Sequence, residues 1–187
     1  FPNGPITVTG ARIDVDGDGF DTAQDIDIFG NGAAVLYPSA SPWLARKDAD
    51  HWVHLLYAFA RDLGATTVRT ALCRSVVDVN RDPSGASLYP GQATTELCPM
   101  TTFDGEPLYQ PSRAPEAGEI ARRRATYFEP YHGALAAEIA RLRLVHPRLV
   151  VYDAHSIRSR VPRLFEGTLP ELNLGSHDGR SCDPELA

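Results

Sequence analysis

The residues best suited to chemistry lie together in Val151-Tyr152-Asp153-Ala154-His155-Ser156-Ile157. Leu149 to Tyr152 are apolar or aromatic and read as a buried strand. That strand delivers Asp153 and His155, then Ser156, Arg158 and Arg160. Ligands of an open α/β sheet bind just beyond the carboxyl ends of its strands. A histidine held there suits a metal ligand, and arginines there suit an acidic substrate. The competing reading is a histidine that only closes a strand end.

Asp78-Val79-Asn80-Arg81 follows a short apolar run. Asn80 offers an amide and Arg81 a guanidinium fork, which together can grip a substrate carboxylate through parallel hydrogen bonds. The plainer alternative is a turn asparagine beside a surface arginine. Arg74, just upstream, adds a second positive charge, and Arg158 is a further candidate. Arginines aimed at one pocket imply an acidic substrate even in an acidic protein. A third cluster is Asp48-Ala49-Asp50-His51 with His54. Carboxylate and imidazole both bind zinc, and a zinc hydrolase needs about three protein ligands plus one open position for water. His51 and His54 share a helix face, but such histidines more often pack or face solvent. An aspartate of the cluster is the better donor.

The run from Asp14 to Asp25 carries a separate signal. Asp14, Asp16 and Asp18 fall at positions 1, 3 and 5 of a calcium loop, Gly19 at 6, Phe20 at the carbonyl position and Asp25 at 12. Position 12 is Asp rather than Glu, and Ile6 to Ile13 reads as a strand instead of a flanking helix. The run reads either as an acidic, Gly-rich turn without metal or as a loop for a structural Ca2+ ion. Arg122-Arg123-Arg124 reads as a solvated helix face near Glu116 and Glu119. Tyr131-His132 and His146 read as packing or surface groups, and His177 lies in a Gly-rich tail.

The elements that position these residues alternate in type. Residues 1–44 form a Gly- and Asp-rich segment, and 45–187 an α/β domain that the sequence leaves open as incomplete at both ends. Asp48 to Leu63 places Trp52, Leu55, Leu56, Phe59 and Leu63 on one face and predicts an amphipathic helix ended by Gly64. Ala65 to Leu72 and Val76 to Val79 predict strands. Asn80 to Pro115 is a long Pro-, Gly-, Thr- and Ser-rich loop, a kind that is usually functional or disordered. Pro115-Glu116 opens a long helix that Pro130 should kink and Pro147 should stop. Such alternation predicts a mostly parallel sheet with helices on both faces.

Composition narrows the function classes. The net charge of −6 argues against a general nucleic-acid binder, and no apolar run is long enough to cross a bilayer. Three widely spaced cysteines disfavour a disulfide framework and predict a reducing, cytoplasmic location. No leader is legible at Phe1, although processing or truncation would remove one.

Several separate motifs together resemble one family. Val76-Val77-Asp78-Val79-Asn80-Arg81, Leu88-Tyr89-Pro90-Gly91-Gln92, Pro130-Tyr131-His132, Asp153-Ala154-His155-Ser156-Ile157, Pro162-Arg163-Leu164-Phe165-Glu166-Gly167 and Leu172-Asn173-Leu174-Gly175 come in the order seen in N-formylglutamate amidohydrolases. The resemblance runs from about Asp48 onward. It implies a zinc-carboxypeptidase-like (phosphorylase/hydrolase-like) α/β fold and hydrolysis of N-formyl-L-glutamate to formate and L-glutamate in histidine breakdown. It implies that His155 is a zinc ligand, that Asp50 or else Asp48 is another, and that Asn80 and Arg81 resemble a carboxylate-holding pair. The family's opening Pro-His-Ser/Ala-Gly motif, whose histidine would be the first ligand, has no counterpart here, and no general base is identified. Two function classes follow: a metal-dependent amide hydrolase acting on a small acidic N-acyl amino acid, and a hydrolase-like scaffold that binds without chemistry and is stabilised by calcium.

Overall fold

The computed structural model of this protein describes residues 12–14, 26–27, 42–70, 72–86, 94–177 and 179–183. Apart from Asp14, the calcium-loop positions Asp16, Asp18, Phe20 and Asp25 lie outside these residues, as do Leu88 to Gln92. Three short strands, β1 (Arg12–Asp14), β2 (Ile26–Asp27) and β3 (Thr67–Arg69), form an antiparallel sheet in the order β2-β1-β3. Ile13 pairs with Ile26 on one side and with Val68 on the other. β3 falls inside the strand predicted for residues 65–72, where Thr66-Thr67-Val68 supplies the β-branched side chains that suit a pleat.

The helix predicted over Asp48–Leu63 is broken. α1 (Pro42–Lys47) stops before it, with Arg46 and Lys47 in a last turn that favours cations. The chain turns through Asp48 to Asp50, then restarts as α2 (Val53–Leu56) and a 3-10 turn over Ala58–Ala60. Between them Trp52 sits at φ 62, a left-handed conformation that a bulky side chain adopts only under constraint. Trp52, Leu55, Leu56, Phe59 and Leu63 are each more than half exposed. Most helical stability comes from packing an apolar face, and among the described residues nothing covers this one. Gly64 ends the segment as predicted: at φ 75 it donates to the Arg61 carbonyl (2.8 Å) while Ala65 donates to that of Ala60 (3.0 Å).

Two other predicted strands take different forms. Val76–Val79 is a turn, in which the Val76 amide donates to Cys73 and the Asp78 amide crosses to Leu97 at 2.7 Å. Leu149–Tyr152 runs without a strand partner among the described residues, and Val150, Val151 and Tyr152 are exposed. The long helix is present as α3 (Ala117–Arg123), a π-turn over Arg124–Phe128 and α4 (Glu129–Arg143). Pro130 lacks the amide that an α-helix needs there and its ring crowds the preceding turn, so the coil widens just ahead of it instead of stopping.

The core gathers Leu72, Val77, Leu97, Cys98 and Tyr127, with Val76, Ile120 and Phe128 packed against it. Arg123, read from sequence as part of a solvated face, is only 2 % exposed. Its guanidinium donates to the Val76 carbonyl (3.0 Å), the Tyr109 hydroxyl (2.9 Å) and Glu119 (2.9 Å). Buried charge is tolerated only when its donors are met in this way. His132 on α4 is a packing histidine: its Nε2 lies 2.8 Å from the Val79 carbonyl and its ring centroid 4.2 Å from that of Phe128. The first contact ties α4 to the turn that carries Asn80.

Candidate active site

Three segments meet here: the turn after α1, the turn around Asn80, and the extended run after Tyr152. His155 Nδ1 lies 3.2 Å from Asp50 Oδ2, and the backbone amide of Ser156 donates to Asp50 Oδ1 at 2.5 Å. The Ser156 hydroxyl sits 3.3 Å from the same oxygen and accepts the His51 amide at 3.1 Å. His155 Nε2 faces Asn80 Nδ2 at 3.0 Å and Asp153 Oδ1 at 3.1 Å. With no β-ladder on residues 152–158 among the described residues, side chains hold the run; the Tyr152 hydroxyl adds a 2.8 Å contact with that of Tyr57.

The charges reinforce one another. Hydrogen bonds to Asp153 and then Asp50 outweigh burial and push the His155 pKa up to about 10. Burial opposes ionisation of Asp50, but the bonds from His155 and the Ser156 amide, with Arg74 nearby, hold it below the usual carboxylate range. The raised pKa favours a charged ring that donates to Asp50 and Asp153 in metal-free protein, a form in which Asn80 Nδ2, itself a donor, makes no hydrogen bond to Nε2. As a neutral ring donating from Nδ1 to Asp50, His155 would instead present an Nε2 lone pair toward the Asn80 amide.

Arg74, Asn80 and Arg81 are brought together by two residues that sequence reading gave no role. Asp78, 6 % exposed, accepts from Arg74 at 2.5 Å, lies 3.4 Å from Arg81 Nε and accepts the Asn80 backbone amide at 3.1 Å. Thr95 Oγ1 accepts from Arg81 (2.8 Å) and Arg74 (3.2 Å). Arg74 also stacks over Phe103, 4.3 Å from the ring centroid. Two guanidiniums face one carboxylate, so this cluster keeps a net positive charge. Asp78 was legible as a neighbour of Asn80; Thr95 carried no signal, because it lies far along a loop.

Asp48 and Arg158 bond to other partners, although Asp48 lines one pocket with Arg74, Thr95 and Phe103. Asp48 accepts the Phe103 amide at 2.6 Å and the Arg158 guanidinium at 3.3 Å, and Arg158 also meets Asp104 at 3.0 Å. His51 Nε2 lies 3.0 Å from the Arg46 carbonyl at the end of α1. His54 sits in α2, and His177 in a turn near the C-terminal end of the described residues.

Whether the centre suits zinc turns on Asp50 and His155. Donors about 2.0–2.1 Å from a tetrahedral ion lie roughly 3.3 Å from each other. The 3.2 Å between Asp50 Oδ2 and His155 Nδ1 fits that edge. Among the described residues no group of three His, Cys, Asp or Glu side chains is arranged to hold a metal ion.

Comparison with known proteins adds the lineage. The chain is 48% identical over 143 residues to an N-formylglutamate deformylase of Pseudomonas aeruginosa, covering 76% of this chain and 53% of that protein. It is 48% identical over 140 residues to an N-formylglutamate deformylase of Pseudomonas putida, covering 75% and 52%. The chain thus spans about half the length of the curated relatives it matches. No solved structure matches it. Residues 32–187 match the N-formylglutamate amidohydrolase family, and the chain belongs to that family.

Proposed function

We propose that this chain carries the site for metal-dependent hydrolysis of N-formyl-L-glutamate to L-glutamate and formate, a reaction of histidine degradation, in a cytoplasmic α/β domain with a mostly parallel sheet. The observation that supports it most is the meeting of Asp50 and His155 at 3.2 Å beside Asn80, in a chain 48% identical to deformylases.

Asp50 and His155 would hold a Zn2+ ion, together with a third ligand that no residue here identifies. Bound there, zinc supplies a water of lowered pKa and polarises the formyl carbonyl. The Ser156 amide and hydroxyl keep the Asp50 carboxylate in place. Arg74, Asn80 and Arg81 seat the carboxylates of the substrate, and their net positive charge favours a dianion. Asp78 and Thr95 hold those guanidiniums in position before substrate arrives, which lowers the entropic cost of alignment. The alternative is a hydrolase-like scaffold without chemistry, stabilised by a structural Ca2+ in the Asp14 to Asp25 loop.

The test is formate release from N-formylglutamate by the 187-residue chain, with and without chelator, in wild type and His155→Ala. Release that chelator and His155→Ala both abolish supports the reading. Zinc-free protein with undiminished turnover rejects it. A calcium-dependent rise in melting temperature tests the loop separately.

A further inference from the structure

The turn after α1 and the run after His155 are joined twice. Besides the bonds between Asp50 and residues 155–156, Asp48 reaches Arg158 across a sequence separation of 110. Asp48 has a side chain only 10% exposed, and its other oxygen accepts the Phe103 amide at 2.6 Å. Arg158 bridges onward to Asp104 at 3.0 Å, and Lys47 closes the figure by pairing with Asp104 at 2.7 Å and with Glu106. Among the described residues, the Nε of Arg158 is buried without a hydrogen-bond partner. A guanidinium that gives up one donor to sit between two carboxylates is fixed by its surroundings. Its side chain is 38% exposed, so two ion pairs rather than burial hold it. The five charged groups of this cluster are Lys47 and Arg158 against Asp48, Asp104 and Glu106. Their sum is negative, which disfavours a carboxylate seat.

We propose that Asp48 and Arg158 are positioning residues: a clamp that sets how closely His155 approaches Asp50, and so pre-organises the two donors for a divalent ion. Asp48 lies two residues before Asp50, and Arg158 lies three residues after His155. The clamp therefore restrains both donor segments from the same side chain pair. It replaces the β-ladder that residues 152–158 lack among the described residues. The proposal rests on the functional reading above for its consequence, but its geometry is independent of any metal.

The experiment compares wild type, Asp48→Asn, Arg158→Gln, Arg158→Lys and the Asp48→Asn/Arg158→Gln double variant. Two readouts are taken: hydrogen exchange at the Ser156 amide in metal-free protein, and zinc affinity by competition with a chromogenic chelator. Each single variant should speed Ser156 exchange while amides within α4, such as that of Ile139, keep their wild-type rates. Zinc affinity should fall about 10- to 100-fold, as for groups that orient metal ligands, and the double variant should be no worse than the worse single one. Arg158→Lys, which keeps the charge but not the fork, should fall between wild type and Arg158→Gln. Unchanged Ser156 exchange and zinc affinity, with a raised KM for N-formylglutamate in Arg158→Gln, would make Arg158 a substrate seat and overturn the clamp. If wild type binds no zinc, the functional reading fails, and Ser156 exchange alone decides the clamp. If Arg158→Gln loses protection throughout α4 it has unfolded, and Arg158→Lys carries the same decision.

Discussion

His155 Nδ1 lies 3.2 Å from Asp50 Oδ2 although 105 residues separate them in sequence. Neither residue is deeply buried; their side chains are 43% and 38% exposed. The pair therefore draws its strength from direction more than from a dry interior. The Ser156 amide fixes one Asp50 oxygen, and the other is left for the imidazole. The same two atoms compete for a proton and for a cation, which makes the site sensitive to pH.

In metal-free protein the folded state favours charged His155, with a pKa raised from 6.5 to about 10. Its contribution to stability is complete below pH 6.5 and is lost as pH rises through about 10. Thermal melting of chelator-treated protein from pH 6 upward should show this decline, and His155→Gln should flatten it. Because zinc must displace those protons, its apparent affinity should strengthen over the same interval. A wild-type alkaline limb identical to that of His155→Gln would remove the imidazolium from this account. On the acid side, Asp50, Asp104, Glu106, Glu119 and Glu138 are all held below their usual values, so stability falls as pH drops through those lowered values.

The arginine pair yields a kinetic prediction. Arg81 donates from Nε to Thr95 (2.8 Å) and from Nη1 to the Asn80 carbonyl (3.1 Å). Lysine keeps the charge but cannot make this fork. Arg81→Lys should raise KM for N-formylglutamate roughly tenfold or more, the scale of one charge-assisted hydrogen bond, while kcat changes less. The split matters because loss of uniform binding moves KM alone. A large fall in kcat at unchanged KM would place Arg81 on the reacting group instead.

Much of this centre was readable from local sequence. Asp50, Asn80 and His155 each sit in a short motif whose chemistry is carried by neighbours, and the structure brings all three together. What could not be read depends on contacts between distant segments. Asp48 resembles Asp50 in sequence, yet its carboxylate is taken by the Phe103 amide and Arg158 while that of Asp50 meets Ser156 and His155. The amphipathic spacing of Trp52 to Leu63 was equally plain, but periodicity states which face seeks cover and not whether cover is there. Arg123 was hidden among three arginines; only the fold shows that one points inward.

That inward arginine gives the last prediction. Arg123 joins α3 to the turn bearing Val76 and to Tyr109, whose hydroxyl continues to the Ser75 carbonyl at 3.2 Å. Burial pushes the Tyr109 phenol up, with the guanidinium opposing it, so the pair is a neutral phenol beside a fixed cation. Methionine at 123 would fill similar space but leave the Val76 carbonyl and the Tyr109 hydroxyl without their donor. Breaking a buried charge network by removing one partner costs about 3 kcal/mol or more. Glu119 softens that here, because it also accepts from Arg122 at 2.8 Å and is 29% exposed. Arg123→Met should therefore destabilise by roughly 2–3 kcal/mol in urea unfolding, whereas Arg122→Met, on the solvent side, should cost under about 1 kcal/mol. The turn at Val76 leads directly to Asp78 and Asn80. Arg123→Met should thus loosen the anion grip before the chain unfolds, seen as a rise in KM at temperatures where circular dichroism is unchanged. Equal costs for the two variants would mean that the buried position of Arg123 carries no energetic weight.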